Sequence, residues 1–518
     1  MNPFSFFKKQ DSAAPEFPIV LFLAFLKFIF HLGVNALSAY GYFRDEFYYL
    51  ECSEHLDWGY VDQPPLSIAI LALSRMILGD SLVALRLLPA FAGAVTVYVG
   101  GLIAREFGGG RFAQGLAALT TFAAPILLAM NSTYSMNSFD FVVWSTAVIL
   151  LIRILKTGEP RHWLLLGLVL GLGLLNKISV LWFGFGILAG LLFTQQRSSL
   201  KTRWPWISGI IAGVMFLPYI IWNINYDFAH LEFIRNASAG KYSSLTPIRF
   251  VQDMVLQENP IAVPIWLGGL WFFFFTPTGR SFRLLGIAFV TAFVVLIVNQ
   301  HSKAEYLAPA FPMVIAGGAV WLEGLVAARA RMWKAVISGI VALSGMVLAP
   351  LASPVLPVEV YVRYADFLGM KPHTAENVEL AELPQFYADM FGWEELTATI
   401  LTVYSQLSPE EQKDCLIYGQ NYGEAASVNF LGRKFGLPRA VSGHNNFFLW
   451  GPERDSVGVV IIIGGRRENH LEVFEDVQLV ARSDCRYCMP YENSLPIHVA
   501  RGLKLPLNEV WLSTRHYQ

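Results

Sequence analysis

Long apolar runs separated by short polar connections repeat down the first two-thirds of the chain. They fall near residues 17–37, 84–104, 112–131, 139–155, 162–175, 177–194, 205–224, 261–278, 284–299, 305–326 and 334–352. Most reach the roughly 17 apolar residues that a helix needs to cross a bilayer. The pattern predicts a polytopic α-helical membrane protein with about eleven transmembrane helices. The two short runs flanking Asn176–Lys177 are also open to a reading as one bent element. The first run is expected to remain as a span, since no small-residue cleavage site follows it. After Pro350 the pattern changes: PLASPVLPVEV reads as a linker, and from about Tyr361 the chain looks soluble. There DCLIYGQ, SVGVVIIIGG and DVQLVARS read as strands, and NYGEAASVNFLGRKFG as a helix ended by Gly436. The predicted division is a multi-spanning domain over 1–352 and an α/β domain over 353–518.

Composition supports the membrane reading. Of 518 residues 54% are hydrophobic and only 15% charged, against about 25% charged in ordinary soluble domains; mean hydropathy is +0.46. A net charge of −1 gives no reason to expect nucleic acid, and four cysteines are too few for a disulfide scaffold. Placing the N-terminus inside gives the inner connections fifteen Lys and Arg, from Lys8 and Lys9 through Arg329, Arg331 and Lys334, against seven outside. This asymmetry predicts the orientation. The first loop, residues 131–140, 225–260 and 299–304, and the C-terminal domain then face outward.

Candidate chemistry concentrates in the first outer loop, YFRDEFYYLECSEHLDWGYVDQPPL. Ionisable groups are read at the outer ends of spans with almost none at mid-membrane depth, whereas ion-coupled transporters usually show the reverse. Asp45 and Glu46 follow the first span. Adjacent acids on a helix point in different directions, so one of them can face a given hydroxyl and take its proton as a general base. A solvated loop acid is the plain alternative. The surrounding aromatics suit sugar stacking and an interfacial belt equally. The long 225–260 connection reads as a flexible cover over the donor lipid or as a disordered connection. In the C-terminal domain, His444, Asn445, Asn446 and Trp450 of SGHNNFFLWGP suit either a sugar or a buried aromatic loop. CRYC at Cys485–Cys488 suits a disulfide or two free thiols, and GQNYGEAA is too loose for a nucleotide motif.

The order of the acid pair, EFYYLECSEHLDWGYVDQPPL, a following helix and RLLPAFAGAVTVY, then LLNKISVLW and KAEYLAPAFP, resembles the protein-mannosyltransferase-like membrane glycosyltransferases. That group includes lipid A aminoarabinose and lipopolysaccharide galacturonic acid transferases. The resemblance covers roughly residues 17–330. It implies a GT-C fold and a polyprenyl-phosphate sugar donor, with Asp45 as first-loop catalytic acid and Glu46 as its partner. Asp62 with Pro64 and Pro65 matches an acid-Pro-Pro segment, and Lys177 falls where such enzymes place a lysine. The family's second acid aligns with Asn137, with Asp140 further on. Either Asp140 substitutes, or the acid is absent and acceptor choice differs.

A sugar on a lipid phosphate leaves as a stable anion, so transfer needs a base for the incoming hydroxyl and cations for the phosphate. Lys177, Lys303 and Arg86 are the donor-phosphate candidates, each weighed against a snorkelling or anchoring role. Asp62, Asn137, Asp140 and Tyr306 are the acceptor or sugar candidates. No essential metal is expected, although carboxylates near phosphate leave a divalent cation open. The expected function is transfer to an envelope lipid or glycan at the outer face of a bacterial inner membrane. Protein Ser/Thr is the alternative acceptor, and a non-enzymatic lipid or sugar translocator the alternative function.

Overall fold

A computed structural model of the chain describes residues 18–326, 331–374 and 376–518. Phe17, Lys8, Lys9 and Arg329, used above for the first span and the orientation, lie outside the described residues. Each predicted apolar run falls on helix. Among the described residues, seven helices are long and apolar enough to span a bilayer: Pro18–Leu37, Leu82–Glu106, Met136–Thr157, Trp204–Asn225, Gly279–Val298, Ala304–Val326 and Arg331–Ala352. Leu66–Leu78, Val180–Leu192 and Pro260–Phe275 are shorter and apolar.

Two breaks follow from local chemistry. The 112–131 run is cut into Arg111–Phe122 and Pro125–Met130. Pro125 lacks an N–H and pushes Ala124 into extended backbone, with φ −72° and ψ 119°. Pro160–Asn176 and Val180–Leu192 are separate helices, because Lys177 is extended at φ −156° and ψ 133°. The 225–260 connection is also structured, with helices Ala229–Asn236 and Pro247–Gln257.

By chain contacts the described residues form two compact units, one within 18–38, 83–221 and 244–356, the other within 39–82, 222–243 and 357–518. In the first, helices Val263–Phe275 and Phe311–Val326 pack through glycines. A Cβ on Gly269 would run into the Val314 carbonyl, and one on Gly318 into the Ile265 carbonyl. Such close approach lets backbones meet where hydrophobic burial offers no drive within lipid.

The same unit holds two exceptions to the reading that almost no ionisable groups lie at mid-membrane depth. Lys27 and His31, in the middle of the first span, are both fully buried. Lys27, His31 and Asn35 recur every fourth residue and so share one helix face. The Lys27 amine lies 5.3 Å from the Phe122 ring centre and finds no hydrogen-bond partner among the described residues. His31 Nδ1 meets Ser132 Oγ at 3.4 Å, and Ser132 Oγ meets Ser353 Oγ at 2.9 Å.

The second unit holds a five-stranded sheet of β1 (Cys415–Gly419), β2 (Ala440–Ser442), β3 (Val459–Ile463), β4 (Phe474–Ser483) and β5 (Leu495–Leu503), in the order β2-β1-β3-β5-β4. β1 pairs in parallel with β2 and β3, while β5 runs antiparallel to β3 and β4. Ile417, Ile461 and Val499 lie in register across the middle strands and are buried. The helix after β1, Tyr422–Gly432, is capped by Asn421, whose Oδ1 accepts the Glu424 N–H at 3.0 Å.

Candidate active site

The first-loop acids sit on helix Arg44–Glu54 of the second unit. Phe43 precedes it in extended backbone, and the Glu46 carboxylate reaches back to accept the Phe43 N–H at 2.9 Å. Glu46 is fully buried, closing the first turn as the return half of a capping box does. Asp45, one residue earlier, points elsewhere. Its side chain is 37% exposed, so a substrate can reach it. The Tyr422 hydroxyl donates to Asp45 Oδ1 at 2.8 Å, and Arg44 Nε approaches the same oxygen at 3.4 Å.

Arg44 is tied down in turn. Its Nη1 donates to the Tyr491 hydroxyl at 2.7 Å, Asp389 lies at 3.8 Å, and the guanidinium sits over the Tyr422 ring. Burial pushes the Asp389 carboxyl up to about 6, against the opposing pull of Arg44. Asp62 accepts from the Tyr48 hydroxyl at 2.9 Å. Burial pushes Asp62 up to about 6, and the nearby Asp45 charge acts in the same direction. A cavity of about 360 Å³ opens in this unit, lined by Arg44, Lys241, Glu376, Tyr422, His444 and Tyr491. The arrangement offers a reachable carboxylate with one oxygen fixed by Arg44 and Tyr422, two residues that also line the cavity.

The SGHNNFFLWGP segment divides in two. Asn446 is buried; its Oδ1 accepts from the Val61 N–H at 2.7 Å, bracing the loop that carries Asp62, and lies 3.2 Å from the Tyr48 hydroxyl, whose one proton goes to Asp62. His444 and Asn445 are buried too. Trp450 instead stacks on His55, with ring centres 4.2 Å apart. Cys485 and Cys488 are free thiols.

The remaining candidates belong to the first unit. Ser135 caps helix Met136–Thr157, placing Asn137 in its first turn and Asp140 about one turn later. Lys177 Nζ donates to Asn137 Oδ1 at 2.6 Å and lies 4.9 Å from the Tyr306 ring centre. Asp140 Oδ2 accepts from Ser179 Oγ at 2.7 Å. Asn137, Asp140 and Lys177 border one small cavity with Glu305 and Pro309. Lys303 precedes the turn carrying Tyr306 and contributes to the field at Lys177. Arg86 is fully buried in helix Leu82–Glu106 and does not line that cavity.

Sequence reasoning passes over Tyr48, Tyr422, Tyr491 and Asp389 as site residues. Tyr48 and Tyr422 do lie in stretches that stand out in the sequence, the aromatic first loop and GQNYGEAA, but there for different chemistry.

Residues 62–222 match the family described as dolichyl-phosphate-mannose-protein mannosyltransferase. That match covers less than half of the chain, and the fold is that of the GT-C membrane glycosyltransferases. Its fold is similar to that of ArnT from Cupriavidus metallidurans bound to undecaprenyl phosphate, at a TM-score of 0.58 and 16% identity over 93% of this chain and 97% of that one. In sequence it is 24% identical over 356 residues to the lipid A galacturonosyltransferase RgtD of Rhizobium johnstonii, covering 66% of this chain and 74% of that protein. The arabinofuranosyltransferase AftD from Mycobacteria also shares the fold, at a TM-score of 0.52 and 11% identity, over 95% of this chain and 42% of that one.

Proposed function

We propose that the protein transfers a sugar from a polyprenyl-phosphate donor to an envelope lipid or glycan at the outer face of a bacterial inner membrane, with Asp45 as general base. The observation that carries this reading is the Asp45 carboxylate itself, reachable at the start of its helix and fixed through one oxygen by Tyr422 and Arg44. A base must be held where the hydroxyl arrives, and geometry comes before basicity in choosing it. The donor class draws support from the undecaprenyl phosphate bound to ArnT, and a lipid acceptor from the lipid A in the name of RgtD.

Lys177 is the leading cation for the departing phosphate, with Lys303 beside it. Asn137 orients the Lys177 amine, and Tyr306 offers it an aromatic face. Attack from the side opposite the phosphate inverts the anomeric carbon. Asp62 serves the acceptor or sugar, and Asp140 stands close to the lysine as the substitute acid.

The test is transfer from a panel of radiolabelled polyprenyl-phosphate sugars to envelope extract, using purified wild type and Asp45→Asn. Wild type should move label, and the Asn form should lose about 100-fold or more, the usual contribution of a general base. Transfer by the Asn form at a comparable rate would remove Asp45 from the role.

A further inference from the structure

The base proposed above is 377 residues away in sequence from the hydroxyl that holds it. That hydroxyl belongs to Tyr422, in the first turn of the helix that follows β1. We propose that Tyr422 is a positioning residue for the transfer reaction, so that the C-terminal region supplies part of the reaction centre. The inference rests on the reading of Asp45 as base.

Three observations carry it. The bond is an O–H to carboxylate contact of 2.8 Å, a charge-assisted type that is short and strong. The Tyr422 ring has little room to turn: the residue is 6% exposed, with ring centres of Tyr48 and His444 each 4.7 Å away. Finally, the backbone beneath it is locked. Asn421 caps the helix and donates from Nδ2 to both Glu424 and Glu492, each at 3.0 Å.

The same stack reaches a further acid of the first loop, Asp62. Tyr48, packed against Tyr422, donates to Asp62. One aromatic pair thus sets two carboxylates, and a base confined to a single rotamer need not be reoriented when the acceptor hydroxyl arrives.

The experiment uses the full-length protein in detergent with Tyr422→Phe, Asp45→Asn and the double variant, on whichever donor of the radiolabelled panel turns over fastest. Phe keeps the ring and its packing, so the melting temperature should stay at the wild-type value. Expected is a fall in kcat of about 10-fold or more with both KM values unchanged, the signature of an interaction that matters in the transition state. In the Asp45→Asn background the same replacement should change the residual rate little, since the group it positions has gone. An unchanged kcat in Tyr422→Phe beside an inactive Asp45→Asn would overturn the positioning role and leave the base standing. An equal fall in both backgrounds would also overturn it, showing a structural effect only. Full transfer by Asp45→Asn would remove the base, and this inference with it.

Discussion

The Asp62 carboxyl is partly buried and pushed up to about 6, with the Tyr48 hydroxyl on Oδ1. Its unfolded counterpart releases its proton near pH 4. Between those values the folded state holds a proton that the unfolded chain has lost. Asp62 therefore costs stability as pH rises through about 4 to 6, and the cost is constant above that. Asn in its place has nothing to ionise and still accepts from Tyr48. Melting curves of Asp62→Asn and wild type should coincide near pH 4 and separate by a few °C in favour of the variant at pH 7. Curves that stay parallel across that range would contradict burial as the source of the shift.

Asp62 is legible in the sequence alone, because an acid before two prolines stands out in a line of text. Tyr48 and Asn446, which hold it in place, are not. Nothing local separates Tyr48 from Tyr49, and Asn446 joins it across 398 residues. Asp45 and Glu46 likewise stand out as a pair, but their division of labour depends on backbone direction. Glu46 turns back to cap its own helix while Asp45 turns out.

Among whole elements, apolar runs are the readable part. The spans, β1, β3, β4 and the helix ending before Gly436 lie where alternation and run length place them. β2 escapes because three residues make no pattern. β5 escapes because Pro496 and Arg501 interrupt its alternation, although the backbone pairs through both positions. The tightest helix contact is invisible as well, since glycine pairs in LGGL and IAGGAV look like composition until the helices meet. Gly318→Ala places a methyl group against the Ile265 carbonyl. It should cost about 1–3 kcal/mol, the usual range for overpacking, seen as a lower melting temperature or poorer accumulation in the membrane. Gly324→Ala, on the same helix with open space around its Cβ, is the control and should leave both unchanged. Equal behaviour of the two variants would show that the contact does not constrain packing.

For the whole molecule, composition reveals one boundary, near Pro350. It does not reveal that residues 39–82 and 222–243 share a compact unit with 357–518. That membership is made by contacts between residues far apart in sequence, such as Tyr422 with Asp45 and Trp222 with Asp57. Hydrophobic periodicity carries no information about such pairs.

The buried Lys27 has a consequence for how the protein is made. A lysine at the centre of a helix weakens its insertion by about 2.5–3.5 kcal/mol on a translocon scale. In an isolated-helix glycosylation assay, Lys27→Leu should raise the inserted fraction of the Pro18–Leu37 segment. No change would mean that the flanking apolar residues already saturate insertion. In the intact chain Lys27 is covered by Phe122, and His31 by Ser132, both of which leave the ribosome about a hundred residues later. At roughly 5–20 residues per second, that is a wait on the order of 5–20 s. During that interval the nascent segment carries its polar face without the helices that will cover it, so its retention in the bilayer becomes a question of timing. Slowing translation between the first span and Ser132 should then increase the fraction of chains lost to quality control, with no change in the finished protein.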